Sequence, residues 1–157
     1  MANNNINLET SSNEKNLLNL KRPKDVWFIF IVSFWPLISM LSHIIVIIGI
    51  VPIEGPIKDY YNSLNFFDYF IILFLPLYIF TSALMLFRLK LIAVKLFFGY
   101  AILRVFLTIY NFSKPEFREL FMINISNSIV SHLISLFVIV FLLYYVNKLK
   151  NKGLLKL

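Results

Sequence analysis

Residues 98–110 read FGYAILRVFLTIY, and the reading of this run decides the fold. Ten of the twelve residues around Arg104 are apolar or aromatic, as a membrane-crossing helix requires. Arg104 argues against that assignment, because a guanidinium is not deprotonated in proteins. Magnitudes decide. An arginine at a helix centre costs about 2.5–3.5 kcal/mol on insertion, while each Leu, Ile, Phe or Val gains about 0.3–0.6 kcal/mol. Leu91 to Phe112 holds thirteen such residues, which supply roughly 4–8 kcal/mol in favour. The helix inserts, with a small margin. Arg104 lies eight residues from Phe112, about 12 Å below that membrane surface. Its side chain covers only part of that distance, so it is expected to face protein or water, not lipid.

The rest of the chain agrees with a membrane setting. Of 157 residues, 59% are hydrophobic and only 15% charged, against about 45–50% and 25% in soluble domains. A bilayer core about 30 Å thick needs roughly 20 apolar residues in helix. Four runs qualify: Val26 to Ile48, Phe66 to Phe87, Leu91 to Phe112, and a fourth over 125–146. The fold class expected is all-α, a polytopic membrane protein with four transmembrane helices in an antiparallel bundle. The first run is read as a true span, not a cleaved signal peptide. Its polar leader is long, and no small-residue cleavage site follows it.

Basic residues set the orientation. Eleven lie on one set of alternating segments: the arm 1–25, the RLK turn at 88–90 with Lys95, and the tail 147–157. The two opposite connections hold three, Lys58, Lys114 and Arg118. This bias, and the even span number, predict that both termini are cytoplasmic. It also turns the net charge of +7 into a topology signal and away from nucleic acid.

The connections carry local signals. In the first opposite loop, GIVPIEGPIKDYYNSLN, Tyr60 and Tyr61 suit a membrane interface. In the second, Ser113 and Glu116 have capping-box spacing, which predicts an interfacial helix near 114–123 ahead of the fourth span. The arm has the same spacing at Ser11 and Glu14, with Leu17, Leu18 and Leu20 able to rest on the membrane, and is read as partly disordered. Pro36 and Pro76 stand at equivalent places in SFWPLI and LFLPLY. Each is expected to bend its helix.

Polar residues within the spans mark a candidate site. Tyr100, Arg104, Thr108 and Asn111 share one helix face. Asn124, Ser128, Ser131 and Ser135 form a second stripe, with His132 beside it. Small hydroxyl residues on one face suit close helix approach. His43 in the first span and Asp68 in the second complete the set. Asp68 is the candidate counter-ion for Arg104, although the two differ in depth by about 9 Å. The expected site comprises Arg104, Asp68, His43, His132, Ser128, Ser131, Tyr100 and Thr108, either binding an anionic group, a lipid headgroup or a proton-coupled substrate, or else fixing helix packing, with Arg104 alternatively snorkelling to outer-leaflet phosphate.

No HExxH, phosphate loop or catalytic triad is present, and the absence of cysteine removes disulfide and thiolate chemistry. No catalytic residue, cofactor or metal is expected. Arg22-Pro23 ahead of the first span, the tight FRLK turn and the Lys-rich NKLKNKGLLKL tail give the chain a layout that resembles small uncharacterised four-span proteins of the bacterial inner membrane. That resemblance implies location and topology and no activity. The first span has no glutamate, which separates the chain from small multidrug exporters. The expected function is a non-enzymatic accessory, interaction or immunity-type protein, its partners the bilayer and either a membrane protein or further copies of itself. The alternative is a small oligomeric transporter or channel component with a polar site around Arg104.

Overall fold

The computed structural model describes residues 23–123 and 125–156. The expectations for most of the N-terminal arm, including Ser11, Glu14 and the Leu17–Leu20 stretch, lie outside these residues, as does Asn124 of the serine stripe. The described chain is seven helices: α1 (Lys24–Val32), α2 (Phe34–Ile47), α3 (Pro56–Asn62), α4 (Phe66–Phe87), α5 (Ile92–Ser113), α6 (Pro115–Ile123) and α7 (Ile125–Asn151). Four stretches are long and apolar enough to cross a membrane: Lys24–Ile47, which joins α1 and α2, then α4, α5 and α7. The protein is an all-α polytopic membrane protein, its four spans running antiparallel.

Proline acts differently in the two spans that contain it. Pro36 has no N–H to bond the carbonyl of Val32, and the first span breaks nearby at Ser33. There the Ser33 hydroxyl donates to the carbonyl of Phe30 at 2.5 Å. Pro76 sits inside α4, which continues without a break to Phe87. The matching positions of the two prolines do not produce matching helices.

At the basic end, α4 and α7 stop in the same way. After α4, the amides of Leu89 and Lys90 donate back to Leu86 and Met85 at 2.8 and 2.9 Å. After α7, those of Gly153 and Leu154 donate to Lys150 and Leu149 at 2.9 and 3.1 Å. This double bond pattern needs a left-handed residue at its corner, ordinarily glycine. Gly153 fills the second corner at φ 66°, whereas Leu89 occupies the first at φ 54°. A left-handed leucine costs roughly 1–2 kcal/mol, offset here by burial of its side chain. The two ends then join. Leu91 N–H donates to the Lys156 carbonyl at 2.5 Å, and Lys156 N–H to the Leu89 carbonyl at 2.7 Å. The tail expected over 147–157 is therefore helical to Asn151 and then folds back, with Leu155 buried against the core.

Span α4 packs on the first span and on α5, and α5 packs on α7. The buried core is gathered at the basic end. Val26, Ala83, Leu86, Ala93, Phe97 and Val146 form one cluster there, each almost inaccessible. Beyond it the first span and α7 part. At the opposite end α3 packs on α6, and α6 on α5 and α7.

Candidate functional site

The expected site divides into two places. Asp68 is buried in the first turn of α4, but its partner is Lys114, just past the end of α5, in an ion pair. It also belongs to a reciprocal cap: Asn65 N–H donates to Asp68 Oδ2 at 2.8 Å, and Asp68 N–H to Asn65 Oδ1 at 3.1 Å. A carboxylate in a helix's first turn further gains from the helix dipole. Asp68 is therefore not the counter-ion of Arg104. Lys114 lies level with it, because α4 begins at the end of the bundle where α5 finishes. That signal was present in the sequence once the two spans are set antiparallel.

His43 also stands apart from Arg104. Its Nδ1 lies 2.5 Å from the Tyr61 hydroxyl, so it fastens the first span to α3. Tyr60 and Tyr61 both touch protein groups: the Tyr60 ring lies tilted beside Phe117 of α6 with ring centres 6.3 Å apart. Burial raises the Tyr60 pKa above the ordinary 10.0, and the charge of Asp68 adds to the rise. Burial alone raises Tyr61. The expected cap at Ser113 is absent as well. Ser113 ends α5 and its hydroxyl donates to the Tyr110 carbonyl at 2.6 Å.

The second place surrounds Arg104. Its Nη2 donates to Ser135 Oγ of α7 at 3.5 Å, a long contact. Its carbonyl accepts from the Thr108 hydroxyl at 2.9 Å. Among the described residues no carboxylate pairs with it. Two clefts meet at this residue. A cavity of about 470 Å³ lies between the first span and α7, lined by Phe28, Val32, Pro36, Phe97 and Leu142, with Ser33, Tyr100, Arg104 and Ser135 among its polar groups. A smaller cleft of about 250 Å³ runs from Arg104 and Ser135 past Thr108 to His132.

His132 connects this second cleft to a third, about 290 Å³, which includes Ser128 and Ser131 and reaches α6. His132 Nδ1 lies 2.8 Å from the Ser128 carbonyl. A carbonyl only accepts, so Nδ1 carries the proton and Nε2 is the ring nitrogen left for another partner. The imidazole is braced edge-on by Phe121, ring centres 5.5 Å apart. Tyr100, Arg104, Thr108, His132, Ser128 and Ser131 thus line a connected series of clefts, to which Ser135 is added and from which Asp68 and His43 are removed. Chemically, the arrangement offers a fixed cation and serine hydroxyls to an anion, beside an apolar cavity. The chain matches no known family model, no curated protein and no solved structure.

Proposed function

We propose that this chain is a non-enzymatic accessory, interaction or immunity-type protein of the bacterial inner membrane, acting through helix–helix contacts, with both termini cytoplasmic. The observation that carries this reading is α7. It packs chiefly on α5 and α6, yet its first four turns expose Asn127, Ser131 and His132 together with Leu133 and Phe137. Polar groups at membrane depth favour protein partners over lipid. A mixed polar and apolar surface of this kind suits a helix from another chain. The excess of basic residues at one end supports the orientation.

Native mass spectrometry of the protein, purified from its host in mild detergent, tests the reading. A reproducible foreign subunit is expected, and a chain that stays monomeric overturns it. Substituting single cysteines at Lys152 and at Glu54 into this cysteine-free chain tests the orientation. Labelling of intact cells by an impermeant thiol reagent is expected at position 54 and not at position 152.

A second reading is a small oligomeric transporter or channel component. The connected clefts through Arg104 and His132 favour it. A pure homo-oligomer in the same mass measurement would select it.

A further inference from the structure

Arg104 presents an electrostatic problem that its surroundings leave unsolved. A guanidinium at membrane depth ordinarily pairs with an acid or lines a polar cavity. Here Asp68 is already engaged by Lys114, and among the described residues the one side chain bonded to Arg104 is the neutral Ser135 hydroxyl. The anion that answers this charge must come from outside the described chain.

The shape of the surroundings specifies what kind of anion. On one side of Arg104 lies the cavity of about 470 Å³, a size typical of small-molecule sites, walled mostly by aromatic and aliphatic side chains. On the other lies the smaller cleft with Thr108 and His132. A ligand that fills both has a long apolar body and one anionic end. Inorganic phosphate would leave the large cavity unused. A zwitterionic headgroup would bring a second cation close to Arg104. Because the first span and α7 are not a packed pair, the cavity opens sideways between them, where a lipid can enter from the bilayer.

We propose that Arg104 and the cavity between the first span and α7 bind one acidic membrane lipid. One acyl chain lies in the cavity. The anionic group sits at the Arg104 guanidinium, and His132 Nε2, an acceptor because Nδ1 donates to the Ser128 carbonyl, takes a hydrogen bond from a hydroxyl of the headgroup. The Ser135 hydroxyl, which accepts from Arg104, has its own proton to give the anion, whereas the Thr108 proton is engaged by the Arg104 carbonyl. The polarity of the site matches a lipid whose head points toward the loop end and whose chain points toward the basic end. This inference is independent of whether a protein partner covers α7.

The test uses the full chain in nanodiscs of mixed phosphatidylglycerol and phosphatidylcholine, released for native mass spectrometry. One phosphatidylglycerol per chain is expected to be retained, at least tenfold over phosphatidylcholine. Arg104→Gln is expected to reduce that preference below twofold, while Arg104→Lys keeps most of it. Val138→Trp, at a half-exposed position on the cavity wall, is expected to lower retention of both lipids at an unchanged melting temperature. Equal retention of the two lipids by the wild type overturns the proposal, as does an unchanged preference in Arg104→Gln. A protein subunit found occupying the cavity, its acidic residue cross-linked to position 104, overturns it too. If Arg104→Gln yields no folded protein, Val138→Trp decides alone, and undiminished phosphatidylglycerol retention by that variant refutes the site.

Discussion

The two ends of this bundle are held by different physics. At the basic end all four spans and the returning tail share one apolar cluster, in which Leu86, Ala93, Phe97 and Val146 are almost inaccessible. At the loop end few apolar side chains are buried, and the elements are joined by polar contacts, Asp68 with Lys114 and His43 with Tyr61, and by aromatic pairs such as Tyr60 with Phe117. In a membrane, apolar burial between helices gains little over contact with lipid, so close packing and hydrogen bonds must hold helices together. The basic end uses the first and the loop end chiefly the second. Between them the first span and α7 separate, and Arg104 stands at the junction. A closed end and an open end on the same four helices leave the middle free to receive something.

The largest expected effect tests the packed end. Phe97→Ala removes the largest fully buried side chain among the described residues; in lipid the cost is the cavity left behind, about 2–3 kcal/mol for a void on the order of 100 Å³, read as reduced resistance to denaturant in bicelles. A loss below 1 kcal/mol would mean the apolar cluster is not what closes that end. Next comes the polar end. Lys114→Met leaves a buried carboxylate without its cation, a change worth about 3–5 kcal/mol where no other group helps. Asn65 and the helix terminus still hold Asp68, so about 2 kcal/mol is expected, and Asp68→Asn in the same chain should recover part of it.

A smaller change probes how the tail is fastened. Lys156→Pro deletes the N–H that bonds the Leu89 carbonyl and should cost about 1 kcal/mol. Faster hydrogen exchange of the Leu91 amide, which bonds the Lys156 carbonyl, would report the release. Alkaline pH should loosen the loop end selectively. The pKa values of Tyr60 and Tyr61 are raised on folding, so their neutral forms are favoured in the native state. Their contribution is intact below pH 10 and is lost as pH rises through the higher folded values. Tyrosine absorbance and stability should therefore change together above pH 10, and Tyr60→Phe with Tyr61→Phe should flatten that dependence.

The smallest expected effect is a null. Arg104→Leu and Asp68→Asn engage different partners, so their stability effects should add within about 0.5 kcal/mol. Coupling above 1 kcal/mol would restore the ion pair between them that the structure does not contain.

What was legible in the sequence follows from distances along one helix. Span positions were readable because bilayer thickness fixes how many apolar residues must be consecutive, and all four runs form helices. The turn of Arg104 toward α7's serine stripe was readable because i, i+4 spacing places Tyr100, Arg104 and Thr108 on one face. Partner choice was not readable in the same way. Periodicity says which face a residue occupies but not which neighbour stands opposite at the same depth. Asp68 was assigned to the nearest unpaired charge in the apolar runs, whereas its cation lies one residue outside a span, at Lys114. His43 was drawn to Arg104 for the same reason, and a loop tyrosine engages it instead.

The sequence by itself determined that this is a membrane protein of four spans, that one end is basic, and that Arg104 can enter the bilayer. Those conclusions rest on sums over a helix, which do not depend on what surrounds it. Only the tertiary structure decided that the tail returns to bond the turn between α4 and α5, that the apolar core gathers at one end, and that Arg104 has no acid among the described residues and borders a cavity of about 470 Å³. Those features depend on the relative tilt and depth of neighbouring helices, which arise from many weak contacts acting together and leave no periodic mark in the chain.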